Sequence, residues 1–106
     1  MTRRSKFNAA PAEVDGIRFD SRAEAREYVR LRSLEDAGKI ADLVLQPKFV
    51  CDVNGKRICT YRADFRYREG DRSVVSDVKG VSTAAFKLKR KLVEALHGVE
   101  TKIVPA

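Results

Sequence analysis

The stretch "SVVSDVKGV", Ser73 to Val81, decides how the rest of the chain is read. Side chains alternate along a strand, so residues two apart share a face. Val74, Ser76 and Val78 fall on one face; Ser73, Val75, Asp77 and Lys79 fall on the other. The spacing predicts a strand over Ser73–Lys79 that carries a carboxylate and an ammonium together and stops at Gly80, just before a helix. Strand ends of this kind are where α/β proteins tend to place chemistry. Taken alone, the pair reads first as a solvated cross-strand ion pair, which is worth little.

The segment upstream, Arg57 to Arg68, sorts the same way. Tyr61, Ala63, Phe65 and Tyr67 make a packing face, while Thr60, Arg62, Asp64 and Arg66 put a carboxylate between arginines on the other. If the two strands are neighbours, Asp64, Asp77 and Lys79 converge on one polar face. Leu43 to Val53 is a further strand, broken early by Pro47, a residue that suggests a strand start or an edge position. Asn54-Gly55 is a strong hairpin turn signal. Cys51 and Cys59 flank it. A three-residue loop would set them opposite each other and a two-residue loop would offset them by one. Two cysteines at this spacing do not close a structural zinc site, and reduced, buried thiols are the expectation.

Two helices bracket these strands. In "DSRAEAREYVRLRSLEDAGK", Ser21 is a good N-cap and Gly38 a good stop. At about 100° per residue, Glu24 falls inside the apolar arc made by Ala25, Tyr28, Leu31 and Leu34, while Arg22, Arg26, Arg30 and Ser33 point away. A charge in a packing stripe needs compensation. Ser21-x-x-Glu24 matches a capping box; a metal-directed carboxylate is the other reading. In "STAAFKLKRKLVEALHG", capped by Ser82 or Thr83 and closed by Gly98, the apolar arc is Phe86, Leu92, Val93 and Leu96. Lys89 falls within that arc, and Lys87, Lys91 and Glu94 point outward. Lys89 either snorkels to solvent or reaches the acidic cluster or a phosphate. A short "VETKIV" strand ends the chain, so the order is α-β-β-β-α-β, a mixed α/β sheet flanked by helices.

At 106 residues the chain is expected to be one domain. Residues 1–13 read as a flexible basic arm, with 14–106 as the folded unit; "VDGIRF" within it is a small hairpin or an extended lead-in. There is no apolar run of about 18 residues for a membrane span and no signal-like segment, so a cytoplasmic protein with no membrane partner is expected. The net charge of +7, from 22 Lys and Arg against 15 Asp and Glu, favours an anionic partner such as nucleic acid. Three carboxylates and a lysine suit metal-assisted phosphodiester hydrolysis. Hard oxygen ligands select Mg²⁺ or Mn²⁺, and a neighbouring lysine orients the attacking water or offsets developing charge.

The order Glu24, Asp64, Asp77-Val78-Lys79 resembles the PD-(D/E)XK nuclease superfamily, whose restriction-endonuclease-like core runs α-β-β-β-α-β. More narrowly, "VDGIRFDSRAEAREY", "LQPKF", "YRADFRY", "SDVKG" and "FKLKRKL" are similar to a small phage-encoded branch of it. The resemblance covers residues 14 to 104. It implies that Glu24, Asp64 and Asp77 bind Mg²⁺ (or Mn²⁺) and that Lys79 assists the water, with Gln46 near the site. Ala63 stands where the name pattern has proline, and Asp77 is the shorter of the two acids allowed at its position. Arg62, Arg66, Lys87, Lys89 and Arg90 are then the expected phosphate contacts. The implied activity is DNA endonuclease, structure-selective or Holliday-junction-resolving, with a homodimer as the assembly that cuts two strands; for a phage protein the compartment is the host cytoplasm. The rival is a non-catalytic DNA-binding phage accessory or anti-defence protein on the same fold.

Overall fold

Ser21 starts the first helix. Its backbone is extended (φ −147°, ψ 158°) and its hydroxyl accepts the Glu24 N–H at 3.1 Å, supplying one of the partners a helix start otherwise lacks. Helix α1 (Arg22–Asp36) ends at Ala37. Gly38 then takes a left-handed φ of 76°, a conformation that glycine adopts without a Cβ clash. The structure, a computed structural model, describes residues 10–106. Before α1, Ala12–Val14 (β1) and Ile17–Phe19 (β2) pair antiparallel around Asp15-Gly16, so "VDGIRF" is a hairpin. Ordered pairing thus begins at Ala12, two residues inside the expected arm, the rest of which lies mostly outside the described residues.

After α1 come β3 (Ala41–Leu45), β4 (Lys48–Val53), β5 (Lys56–Arg62), β6 (Phe65–Glu69) and β7 (Arg72–Lys79). Helix α2 (Ala84–His97) follows, with Thr83 rather than Ser82 as its N-cap, then β8 (Glu100–Pro105). The main sheet is mixed, in the order β3-β6-β7-β8. β3, β6 and β7 are antiparallel, and β8 lies parallel to β7 because α2 carries the chain back to the same end. The expected α-β-β-β-α-β order holds once each broken strand is counted with its continuation.

β7 is a central strand covered on both faces. Val74 packs with Tyr28, Leu31, Phe65 and Tyr67 beneath α1; Val75 packs with Phe49, Tyr61, Val93 and Val99 beneath α2. Leu31 is wholly buried in the first cluster. Leu31→Ala is expected to cost about 2.7–5 kcal/mol, read as a lower denaturation midpoint at unchanged slope. No helix among the described residues is long and apolar enough to cross a membrane.

The two long strands expected from the sequence are each broken once, at facing positions. Gln46 adopts φ 52° and the buried Pro47 has no N–H to offer a ladder. Opposite them the chain breaks at Ala63-Asp64. Gln46 N–H to Asp64 C=O (2.8 Å) and Ala63 N–H to Pro47 C=O (3.0 Å) carry the pairing across the break. Beyond it β4 and β5 form a separate two-stranded arm that packs on α2, where the Phe49 and His97 rings lie 5.2 Å apart. The arm turns through two residues, Asn54 (φ 51°) and Gly55 (φ 80°). That loop would offset the cysteines, but Ile58 bulges out of register and cancels the offset, so Cys51 sits directly opposite Cys59. Both are free thiols, Cys51 buried and Cys59 half-buried.

Candidate active site

The regular pairing of β6 with β7 runs out at Phe65 opposite Ser76. The next residue on each side is an aspartate, and the two interlock. Asp64 N–H donates to Asp77 Oδ1 at 3.2 Å, and Val78 N–H donates to Asp64 Oδ2 at 2.8 Å. Each carboxylate therefore satisfies a backbone donor on the other strand. The Tyr61 hydroxyl, at the end of the arm, donates to Asp77 Oδ2. Asp77 is only 3% exposed. The reading of Asp77 and Lys79 as a solvated surface pair is thus overturned, because α2 and the β4–β5 arm lie over the face that alternation assigns to Asp77, and β8 pairs beside it. Lys79 remains exposed, with its ammonium 4.7 Å above the Phe86 ring.

Helix α1 brings Glu24 to the same place from the opposite layer. Glu24, Asp64 and Gln46 line one cavity of about 270 Å³, together with Arg18. The capping-box expectation is half met. Ser21 caps the helix, but its hydroxyl also donates to the Glu24 carboxylate at 3.3 Å, and that carboxylate lines the cavity.

All three carboxyls resist ionisation. Burial raises Glu24, the negative charges of Asp64 and Asp20 add to it, and the Ser21 hydroxyl and Lys79 oppose it. Burial likewise raises Asp64 against the Val78 N–H and Lys79, with Asp20 adding to the rise. Asp77 is pushed up to about 6 by burial, despite Lys79, the Asp64 N–H and Arg90. Burial is the leading cause in all three, and carboxylate oxygens of this kind could hold a hard divalent cation. Among the described residues no three His, Cys, Asp or Glu side chains form a finished metal cage. Mg²⁺ is held by one or two carboxylates and completed by waters and phosphate oxygens. Glu24 and Asp64 line the cavity directly. Both Asp77 oxygens already accept hydrogen bonds, and each keeps a second lone pair for coordination.

The five expected phosphate contacts separate. Arg62 and Lys89 line a second cavity with Lys79, so Lys89 faces solvent there and is not held in a packed arc. α2 buries fewer residues than its pattern suggests: Val93 is buried, but Leu96 is 41% exposed. Arg90 turns inward, donating to Thr101 Oγ1 at 3.1 Å. Arg66 donates to Ser73 Oγ at 3.1 Å and stacks over Phe49, and Lys87 lies on the outer face of α2 beside Leu88 and Lys91. Two residues of the site escaped the sequence reading. Asp20 lies just before the N-cap, where its only signal was a second acid beside the Ser21-x-x-Glu24 motif. Tyr61 was assigned to packing, which its ring does perform, while its hydroxyl holds Asp77.

No curated protein matches the chain. A family model described as a protein of unknown function (DUF1064) matches residues 4–103, nearly the whole length, and the chain belongs to the DUF1064 family.

Proposed function

We propose that this protein is a Mg²⁺-dependent DNA endonuclease of the kind its resemblance to the PD-(D/E)XK superfamily implies. The observation that carries the reading is the interlocked Asp64–Asp77 pair, with Glu24 facing it across one cavity and Lys79 beside it. Burying three carboxyls, with the Asp64 charge adding to the rise in Glu24, opposes folding unless the cluster serves a bound cation. Glu24 and Asp64 would hold the ion from the cavity and Asp77 from the buried side. Mg²⁺ or Mn²⁺, when bound, supplies Lewis-acid charge at the scissile phosphate and a more acidic water. Lys79 orients that water and offsets charge developing on the phosphate. Gln46 lies on the cavity wall, placed to hydrogen-bond a water or phosphate oxygen. The Val78 N–H fixes one Asp64 oxygen, and Tyr61 fixes Asp77.

This reading sets the protein in the cytoplasm, the host's if phage-encoded, where Cys51 and Cys59 stay reduced. On this reading the substrate is chosen by DNA structure, branched DNA included, and a homodimer would cut two strands. One observation favours the rival, a non-catalytic DNA-binding protein: both Asp77 oxygens are already engaged by donors. The test is incubation with supercoiled, linear and four-way-junction DNA, in Mg²⁺ and in EDTA. Cleavage of at least one substrate in Mg²⁺ and of none in EDTA is expected. Salt-sensitive binding without cutting of any substrate selects the rival.

A further inference from the structure

A further cavity, about 280 Å³ in volume, is of opposite character to the acidic one. It opens between the β4–β5 arm and the start of α2. Three cations line it, each from a different element: Arg62 ends β5, Lys79 ends β7, and Lys89 lies in the second turn of α2. The hydroxyl-bearing Thr60 and Thr83 are on its wall, Phe86 forms an apolar side under Lys79, and no residue lining it is acidic.

What sets this place apart is the convergence itself, since only six of the described Lys and Arg residues form ion pairs and most of the others are spread over the surface. Arg30 is tied to Glu27, Arg32 to Glu35, Arg57 to Asp52 and Arg72 to Glu100. Among the described residues, Arg62 and Lys89 have no carboxylate within 4.0 Å. Three like charges around one concave space repel one another and focus a positive potential into it. The ligand that relieves this is a compact anion of high charge. A phosphodiester within a strand carries a single negative charge. A phosphate monoester carries about −1.5 to −2 near pH 7 and offers three strong acceptor oxygens. Three cationic donors and two hydroxyls match the second far better.

We propose that this basic cavity is a binding site for a phosphate monoester, the terminal phosphate of a nucleic-acid strand, so that the protein engages strand ends. The site rests on the nuclease reading only for its partner: Lys79 lines this cavity while its charge also acts on Glu24 and Asp64, so a terminal phosphate held there would lie near the cutting centre. Its binding needs no metal, because every donor is a protein group.

The test is fluorescence anisotropy in EDTA, with labelled single strands of one sequence bearing a 5′-phosphate, a 3′-phosphate or hydroxyls at both ends. At least one phosphorylated strand should bind about tenfold tighter than the hydroxyl strand, and which of the two does so identifies the terminus. Inorganic phosphate should remove that advantage by competition. Arg62→Gln with Lys89→Gln should also abolish it; both side chains are exposed, and an unchanged melting temperature confirms that the variant is folded. Equal affinity for all three strands overturns the proposal, as does an advantage that survives in the double variant. The nuclease reading fails separately. A terminal-phosphate preference in EDTA with no cleavage in Mg²⁺ keeps the end site and removes the enzyme, whereas cleavage without the preference does the reverse.

Discussion

Asp77→Asn is expected to make the protein more stable near pH 8 while abolishing Mg²⁺-dependent cleavage. Burial lifts the Asp77 carboxyl from 3.8 to about 6. A carboxyl with a raised folded pKa binds its proton more tightly in the fold than in the unfolded chain. Its effect on stability is therefore most favourable below pH 3.8, declines as pH rises from there to about 6, and remains unfavourable above that. The difference corresponds to about 2–3 kcal/mol. Asparagine carries no charge and still offers its amide oxygen to the Asp64 N–H, while the Tyr61 hydroxyl can turn to accept from its amide nitrogen. The expected result near pH 8 is a gain of about 1–3 kcal/mol, or a few degrees of melting temperature for each kcal/mol, shrinking towards nothing near pH 4. Cleavage should fall by at least about 10²-fold, since the amide is neutral and a poorer ligand for a hard cation. A variant less stable than the parent at pH 8 would mean that the ionised Asp77 supports the fold. A more stable variant that still cuts would remove Asp77 from the site.

What the sequence made legible was local. Alternation along β7 depends on backbone period alone, so Val74 and Val75 could be assigned to opposite faces without knowing the sheet; across the break at Ala63-Asp64 alternation failed, and the expected packing face divides, with Tyr61 and Ala63 beneath α2 and Phe65 and Tyr67 beneath α1. The helix limits followed from Ser21, Gly38 and Gly98 for the same reason: caps act within one turn. The illegible features are those set by partners distant in sequence. Asp77 is buried because β8 pairs beside it and Tyr61 covers it from the arm, and neither neighbour is encoded in "SVVSDVKGV". The break at Gln46 has Pro47 as its visible sign, but its matching break at Ala63-Asp64 has none, since it exists to let the arm turn onto α2. That arm in turn leaves Lys89 in an open cavity, where helical periodicity alone had placed it in a packed arc. The Cys51–Cys59 pairing depended on a bulge at Ile58 that no turn rule predicts. The site follows the same division. Its acids were legible as candidates; their burial, the split of Asp64 and Asp77 across the break, and the Asp20 charge required the fold.

Lys79→Met is expected to separate catalysis from metal binding. Methionine keeps a flexible apolar stem against the Phe86 ring and removes only the ammonium. If Lys79 handles the water or offsets charge on the phosphate, cleavage should fall by about 10²–10⁴-fold. Mg²⁺ binding should move the other way. The Lys79 charge lowers the pKa of Glu24, Asp64 and Asp77 alike, so its loss leaves the cluster more negative when ionised and raises all three. At pH 8 the cation should bind at least as tightly as in the parent, because one repelling charge has gone. Below about pH 6 it should bind less well, because protons compete more strongly for the carboxylates. Isothermal titration with Mg²⁺ across this range, with single-turnover cleavage at saturating metal, reads both effects. Lys79→Arg should not restore cleavage, since a planar guanidinium is bulkier and cannot give up a proton at working pH. A parallel loss of cleavage and of Mg²⁺ affinity at pH 8 would make Lys79 a support for the carboxylates. Loss of cleavage with affinity intact is the pattern that only a group acting on the water or the phosphate produces, because such a group contributes after the metal is already bound.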